Sequence, residues 1–175
     1  NFMVQDISEL ADILREAFRI ANSGRKGPVL VDIPKDVTAA ITDFEPETPK
    51  PIEDNTVLIP EKLEEAAKYI NAPHRPVIEI GGGVVSSEAS DLLRELVEKA
   101  GIPACHTLMA AGVLGYSEPL NYGLVGMHGS YVTNKAIDEA DCLLAIGTRF
   151  SDRVALNTDR FANKAKGIQI DIGQS

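Results

Sequence analysis

Two arginines and an aspartate follow an apolar run towards the end of the chain, and their types and spacing suit an anionic ligand. Residues 143–146 are apolar, and after a Gly-Thr pair come Arg149, Asp152 and Arg153. A guanidinium can form two parallel hydrogen bonds to a phosphate, and a carboxylate can accept hydrogen bonds from ribose or ribityl hydroxyls. The pattern favours a ligand such as a nucleotide. The alternative is that surface carboxylates bind the two arginines.

Four further motifs are expected at strand ends, and the third of them also lies just before a predicted helix. They are Gly81-Gly82-Gly83, Thr107-Leu108-Met109, Gly126-Met127-His128-Gly129 and Asp171. Glycines let a phosphate or ring approach the backbone, threonine can hydrogen-bond a ligand, and leucine and methionine offer an apolar wall. Each motif also has a structural interpretation, because the glycines could form a tight turn, the threonine motif could be core and the histidine could be structural.

The elements that must position these motifs alternate between helix and strand. Apolar periodicity predicts helices at 61–71, 88–100, 130–140 and 159–164, and strands at 76–80, 102–106, 142–146 and 167–172. The long stretch 107–129 is predicted to be irregular. Alternation of this kind is typical of an α/β fold with a doubly wound parallel sheet. In such sheets ligands bind beyond the carboxyl ends of the strands, where all five motifs are expected.

The preceding part of the chain predicts a separate, truncated unit. Residues 6–22 have one apolar stripe and predict a helix, and 28–34 predict a short buried strand whose partner strand is missing. We interpret 1–41 as the end of an α/β domain, with a small structural tail as the alternative. Prolines are frequent in 42–60, which we interpret as a linker, and 61–175 form the second domain.

Composition limits the classes of function. The formal net charge of −9 argues against nucleic acid as a bulk partner, since phosphate binding needs a basic face. Cys105 and Cys142 lie in apolar surroundings and are expected to be reduced thiols of a cytoplasmic protein. No apolar run approaches the roughly 20 residues of a membrane span. The sequence has no spacing typical of metal ligands, so we expect neither a metal site nor a membrane partner.

At these residues the sequence resembles the catalytic large subunits of acetolactate synthase, also called acetohydroxyacid synthase. Residues 27–37, Gly-Pro-Val-Leu-Val-Asp-Ile-Pro-Lys-Asp-Val, look like the end of the family's pyrimidine-binding domain. The more specific motifs are Gly126-Met127-His128-Gly129 with Ala140-Asp141, Gly147-x-Arg149-Phe150-x-Asp152-Arg153-Val154 and Ile170-Asp171-Ile172. The resemblance covers essentially the whole chain and implies that it corresponds to a piece of a longer subunit.

The resemblance implies that 61–175 form the Rossmann-like central domain of a thiamine diphosphate enzyme, with about six strands and a site for FAD. The flavin would have a chiefly structural role, and Arg153 matches an arginine near the family's substrate channel. By resemblance the FAD site comprises Gly81, Gly82, Gly83, Thr107, Leu108, Met109, Met127, His128, Gly129, Gly147, Thr148, Arg149, Asp152, Arg153, Val154, Asp171 and Ile172.

The implied reaction decarboxylates pyruvate on thiamine diphosphate and joins the two-carbon unit to a second 2-oxo acid, pyruvate or 2-oxobutyrate. The product, acetolactate or acetohydroxybutyrate, leads to branched-chain amino acids. The family's activating glutamate is expected before Asn1 and its diphosphate and Mg²⁺ motif after Ser175. We therefore assign no catalytic residue and expect these residues to be inactive alone. The implied partners are further copies, as a dimer or tetramer, and a small regulatory subunit.

The sequence departs from the family pattern at three places. Ser151 stands where the family often has aspartate, Ala155-Leu156 replace a common Thr-Gly pair, and Gly173 replaces the second acid of Ile-Asp-Ile-Asp. Two other interpretations therefore stay open. One is the central domain of another thiamine diphosphate enzyme, of the glyoxylate carboligase or pyruvate oxidase type. The other is a non-catalytic nucleotide-binding module.

Overall fold

A computed structural model describes residues 1–48 and 59–173 of the chain. The chain divides into two units, Asn1–Val57 and Leu58–Ser175. Within the predicted linker at 42–60, residues 49–58 lie outside the described residues, and Pro60 already begins a helix. In the described part of the chain, no helix combines the length and apolar character needed to cross a bilayer.

The first unit contains a small parallel strand pair. Its elements are β1 (Phe2–Met3), a 3₁₀ turn (Ile7–Glu9), α1 (Leu10–Asn22), β2 (Val31–Asp32) and α2 (Lys35–Ala39). The predicted helix is present, but the expectation that the partner strand is missing is wrong, because β1 pairs parallel with β2. Two residues at the start of a chain are too few to show a strand pattern. The strand predicted at 28–34 is present as β2 but is shorter than predicted and is not buried, since Leu30 is 68% exposed.

The second unit contains a five-stranded parallel sheet. Its elements are α3 (Pro60–Asn71), β3 (Pro76–Ile80), α4 (Gly82–Ser86), α5 (Ser90–Ala100), β4 (Ala104–His106), a 3₁₀ turn (Leu108–Ala110), β5 (Asn121–Leu124), α6 (Tyr131–Glu139), β6 (Cys142–Ile146) and β7 (Lys166–Ile170). The strand order is β5-β4-β3-β6-β7, and every neighbouring pair is parallel. The chain thus builds outward from β3 to β5 and then returns to the other side of β3. This confirms the predicted doubly wound α/β sheet.

Alternating side chains of β3 enter two different cores. Ile78 and Ile80 pack in the core that includes Leu93 and Val97 of α5. Val77 points to the opposite core, which includes residues of α6 and β6. Core side chains therefore cover both faces of the sheet, which explains why the sequences of β3 and β6 are nearly continuous apolar runs.

Two local predictions are wrong for identifiable reasons. The stretch 107–129, predicted to be irregular, contains the edge strand β5. This strand is irregular and lacks a strand-like sequence pattern, because Gly123 has φ +92° and the pairing register shifts beside it. Residues 159–164 form turns instead of a helix, and Ala162 has a left-handed φ of +47° that interrupts helical backbone. The resemblance implied about six strands, whereas the described residues of this unit form five.

Asp141 joins the amino ends of several elements. Its carboxylate accepts hydrogen bonds from the backbone N–H groups of His74 and Arg75, each at 2.9 Å. Its backbone carbonyl accepts the N–H of Lys166 at 3.0 Å. One residue thus links the segment entering β3 with the starts of β6 and β7.

Replacing Asp141 with asparagine should destabilise the second unit. Asp141→Asn keeps one acceptor oxygen but loses the charge and the second oxygen, so we expect the free energy of unfolding to fall. Denaturant unfolding followed by circular dichroism measures this loss. Asp138→Asn, which removes an exposed carboxylate of α6, is the matched control. Equal effects of the two substitutions would contradict the proposed link.

Candidate functional site

The five motifs lie at one edge of the sheet. Because all strands of the second unit are parallel, their carboxyl ends meet at the same edge, which we call the carboxyl edge. Five strands separated by about 4.8 Å make this edge roughly 19 Å long. The direction of winding reverses between the central strands β3 and β6, and ligands of doubly wound sheets bind at such a switch point. The edge is long enough for an extended ligand.

The loops that leave β3 and β6 touch through their backbones. The N–H of Gly83 donates to the carbonyl of Gly147 at 3.0 Å, and Gly81 N–H donates to the carbonyl of Ile146 at 2.8 Å. A Cβ on Gly81 would lie 2.0 Å from the Gly147 oxygen, and a Cβ on Gly147 would lie 2.7 Å from Gly83 Cα. Gly147 also has φ +63°. The tight-turn interpretation therefore accounts for Gly81, Gly83 and Gly147 before any ligand is considered.

The loops that leave β5 and β6 are joined in the same way. Gly126 has φ +93°, and a Cβ there would lie 2.3 Å from the Arg153 carbonyl oxygen. That oxygen accepts the N–H of Met127 at 2.9 Å. The Met127 and His128 side chains are left exposed, and the Arg153 guanidinium lies 3.7 Å from the Met127 sulfur. The backbone of this loop is thus fixed while its side chains face outward.

Asn134 of α6 fixes the loop after β5 through its side-chain amide. Its Oδ1 accepts the Gly126 N–H at 2.9 Å, and its Nδ2 donates to the Gly126 carbonyl at 3.0 Å. The neighbouring Thr133 is fully buried and donates its hydroxyl to the carbonyl of Tyr122. Ser130 caps the helix by accepting the Thr133 N–H at 3.1 Å. Sequence reasoning missed Thr133 and Asn134, although two polar residues next to the inward stripe of α6 were a usable signal.

Glu79 is a buried acid at the switch point that sequence reasoning also missed. It lies in β3 with 0% of its surface exposed, and its Oε1 accepts the Thr148 hydroxyl at 2.8 Å. Its Oε2 has no hydrogen-bond partner among the described residues. Burial raises the pKa of Glu79 to about 7, although the bond from Thr148 opposes this effect. The signal in the sequence was one carboxylate inside the apolar run 76–80.

The neighbouring strand brings a thiol to this acid. Cys105 of β4 stands beside Glu79 in the parallel register. Burial, with the charge of Glu79 as a smaller cause, raises the pKa of the Cys105 thiol far above its usual value. Cys105 and Cys142 are both free and buried, and neither is a thiolate at neutral pH.

The charged side chains of the site remain accessible. Arg149 is exposed and has no ion-pair partner among the residues that the structure describes. Arg153 is exposed, and its one ion-pair partner among the described residues is its neighbour Asp152, at 3.9 Å. The interpretation that surface carboxylates bind both arginines is therefore not supported for Arg149. Asp171 accepts the Gly173 N–H at 2.8 Å and is half-buried.

The apolar predicted residues divide into exposed and buried ones. Leu108 and Met109 are 74% and 75% exposed, Met127 is 47% exposed, and Ile172 is exposed. Val154, in contrast, packs in the core on the α6 side of the sheet. Thr107 is half-buried, and its N–H donates to the Ile80 carbonyl at 2.9 Å. The edge thus combines exposed apolar side chains with an unpaired cation.

The buried acid should make stability depend on pH. Because the pKa of Glu79 is raised from 4.5 to about 7, the folded protein keeps this proton at pH values where the unfolded chain has released it. The contribution of this group to stability is fully present below 4.5 and is lost as pH rises towards about 7. Glu79→Gln does not titrate, so its free energy of unfolding relative to the wild type should rise by about 3 kcal/mol across this interval.

Denaturant unfolding at a series of pH values measures this difference. Glu98→Gln, which removes an exposed carboxylate of α5, is the control and should not show the same rise. A difference between Glu79→Gln and wild type that stays constant with pH would show that Glu79 is not held protonated.

Comparison with known proteins places this chain in a family. Residues 63–175 match the family described as "Thiamine pyrophosphate enzyme, central domain". The chain is 44% identical over 178 residues to the acetolactate synthase isozyme 1 large subunit of Escherichia coli (strain K12), covering 100% of this chain and 31% of that protein. It is 46% identical over 175 residues to an acetolactate synthase large subunit of Mycobacterium tuberculosis, covering 98% and 28%.

An archaeal relative extends this similarity. The chain is 45% identical over 179 residues to a probable acetolactate synthase large subunit of Methanocaldococcus jannaschii, covering 98% of this chain and 30% of that protein. The chain thus spans less than a third of the length of these relatives. Because the family match covers most of the chain and coincides with the parallel sheet, the chain belongs to the thiamine pyrophosphate enzyme central-domain family.

Proposed function

We propose that the carboxyl edge is an FAD site within an acetolactate synthase large subunit. The observation that carries this proposal is Arg149 at the switch point, without an ion-pair partner among the described residues, on the same sheet edge as the exposed side chains of Leu108, Met109 and Met127. FAD has two aromatic ring systems joined by a pyrophosphate. A long edge that offers both apolar and cationic contacts suits a ligand of this shape and charge.

The residues of the edge would contribute in different ways. Exposed methionines make favourable contacts with aromatic rings, so Met109 and Met127 would contact a ring system of the flavin. Arg149 and Arg153 would bind the pyrophosphate, since guanidinium forms forked hydrogen bonds to phosphate. Thr148 and Val154 bury their side chains, and they would contribute through their backbone. His128, Asp152 and Asp171 would supply polar contacts.

The glycines would admit the ligand. The close approaches at Gly81, Gly83 and Gly147 leave no side chain between the loops, so the pyrophosphate would approach the backbone there. The N–H groups of these three glycines already donate to carbonyls within the protein, so the charged contacts would come from the arginines. Gly82 and Gly129 would extend the same backbone surface, with Thr107 and Ile172 near its two ends. The proposed FAD site thus includes all the site residues that were predicted from the sequence.

The proposed activity of the whole protein is that of acetolactate synthase. It decarboxylates pyruvate and joins the two-carbon unit to pyruvate or 2-oxobutyrate, in branched-chain amino acid biosynthesis. Thiamine diphosphate, held with Mg²⁺ by other parts of the protein, supplies the carbanion chemistry. No group of three or more side chains that could hold a metal ion lies among the described residues. The role of this chain is to hold FAD and to place Arg153 beside the substrate path.

The remaining predictions from the sequence belong to this proposal. Residues 1–41 would be the end of the pyrimidine-binding domain, 42–60 the linker and 61–175 the FAD-binding domain. The protein would be cytoplasmic and would assemble as a homodimer or homotetramer, with a small regulatory subunit. What supports the assignment to an acetolactate synthase large subunit, from which these points follow, is the similarity over the whole chain.

Loss of the Arg149 guanidinium should weaken FAD binding. A charge-assisted hydrogen bond contributes about 1.5–3 kcal/mol, so Arg149→Ala should raise the dissociation constant about tenfold to a hundredfold. Quenching of flavin fluorescence during titration measures this constant. Arg75→Ala removes the same charge next to the amino end of β3 and is the matched control. Equal affinity of Arg149→Ala and wild type, or a preference for NAD or ADP over FAD, would contradict the FAD site.

The 175 residues alone should not catalyse the reaction. With pyruvate, thiamine diphosphate, Mg²⁺ and FAD they should form no acetolactate, because the activating glutamate is expected in another part of the protein. A colorimetric assay for acetoin, formed by acid treatment of acetolactate, measures the product. Formation of acetolactate above the rate without protein would show that the catalytic groups lie within these residues.

A further inference from the structure

We propose that Glu79 is a positioning residue of the carboxyl edge, and that its buried carboxyl holds Thr148 and the adjoining backbone in the conformation that receives the cofactor. This inference rests on the proposed FAD site and adds to it a residue that lies behind the binding surface. Glu79 would act through Thr148 and would not touch the flavin, since it has 0% exposure.

The turn that leaves β6 is fixed from three directions. The Thr148 hydroxyl donates to Glu79 Oε1 at 2.8 Å, and the Thr148 carbonyl accepts the Gln169 amide at 3.1 Å. The Gly147 carbonyl accepts the N–H of Gly83 at 3.0 Å. Among the hydrogen bonds of the described residues, only the bond to Glu79 connects this turn to a side chain of the central strand β3. Arg149 follows immediately, so the position of its backbone depends on these contacts.

This turn has a conformation that needs outside support. Gly147 has φ +63°, and Phe150 has φ +52°, which is unfavourable for a residue with a side chain. Phe150 packs edge-on against Phe161, with ring centroids 6.0 Å apart. Left-handed backbone at a non-glycine residue persists only where surrounding contacts impose it. The anchor at Thr148 lies between these two left-handed residues.

The fold itself does not need an acid at position 79. Side chains on this side of the sheet are otherwise mainly apolar, including Val77, Leu143 and Ile137. Burying a carboxyl there costs free energy, and its Oε2 has no hydrogen-bond partner among the described residues. An apolar side chain of similar length would avoid this cost. The gain from Glu79 is therefore the bond to Thr148, which orders the site.

The electrostatic surroundings fit this role. The titratable group beside Glu79 is the Cys105 thiol of β4, which is neutral. In the described part of the chain Glu79 forms no ion pair that would compete with the bond from Thr148. The oxygen Oε1 can accept the hydrogen bond from the Thr148 hydroxyl whether the carboxyl is neutral or charged. A neutral amide at this position could accept it as well.

Two substitutions separate positioning from a purely structural role. Glu79→Met removes the acceptor and keeps the length of the side chain, whereas Glu79→Gln keeps an acceptor oxygen. The double variant Glu79→Met/Thr148→Val replaces both partners with apolar groups, which is nearly neutral for stability. The double variant replaces Glu79→Met in the measurements if Glu79→Met folds poorly. Ile78→Val, on the other face of β3, is the control for a loss of core packing.

The measurements are hydrogen–deuterium exchange of the turn and FAD affinity, both in the whole protein. Without flavin, Glu79→Met and the double variant should exchange the amides of residues 147–153 several times faster, with exchange of β3 unchanged. Their FAD dissociation constants should rise about fivefold, which corresponds to the loss of one hydrogen bond. Glu79→Gln should restore both properties, and Ile78→Val should leave both unchanged.

The outcomes distinguish the two proposals. If wild-type protein binds no FAD, the proposed function is wrong, and the exchange data still decide the role of Glu79. If the methionine variants fold but show wild-type exchange at 147–153, Glu79 is not a positioning residue. Failure of Glu79→Gln to restore slow exchange would also overturn the proposal.

Discussion

The structure of the site depends on a contact between two backbones at the centre of the sheet. Where β3 and β6 end, Gly81 and Gly83 approach Gly147 so closely that a Cβ on any of the three would lie within 2.7 Å of another backbone atom. This contact brings the two loops of the switch point together without a side chain between them. The glycines are therefore required by the fold first, and the same absence of side chains makes the edge accessible to a ligand.

Side chains of α6 and β3 also fix the loops that the glycines bring together. Asn134 pairs with both polar groups of Gly126, and Glu79 holds Thr148, so the loops after β5 and β6 are each fixed by a residue that is not itself on the binding surface. Arg149, Leu108 and the two methionines leave their side chains exposed at this edge. A backbone that is fixed by hydrogen bonds, with exposed apolar and cationic side chains around it, is the arrangement on which the proposed flavin site rests.

The sequence predicts those elements whose apolar residues follow a simple pattern, either a helical stripe or a continuous run. The bounds of β3 and β6 agree with the predicted strands because buried parallel strands are short continuous apolar runs. The edge strand β5 was missed, since Gly123 and its neighbours have neither alternation nor β-branched side chains. The motifs at strand ends were found because topology brings them to one edge. Glu79 was missed because its partner Thr148 lies 69 residues away in the sequence, and Asn134 was missed although its partner Gly126 lies only eight residues away.

The most direct test of the account is amide hydrogen exchange of the wild-type protein with and without FAD. We expect FAD to slow exchange in the segments that follow the strands, namely 81–83, 107–109, 126–129, 147–154 and 171–172. The amides of His74 and Arg75, at the amino end of β3, should be unaffected. Protection confined to other segments, or no protection at a flavin concentration that saturates binding, would show that the carboxyl edge is not the flavin site.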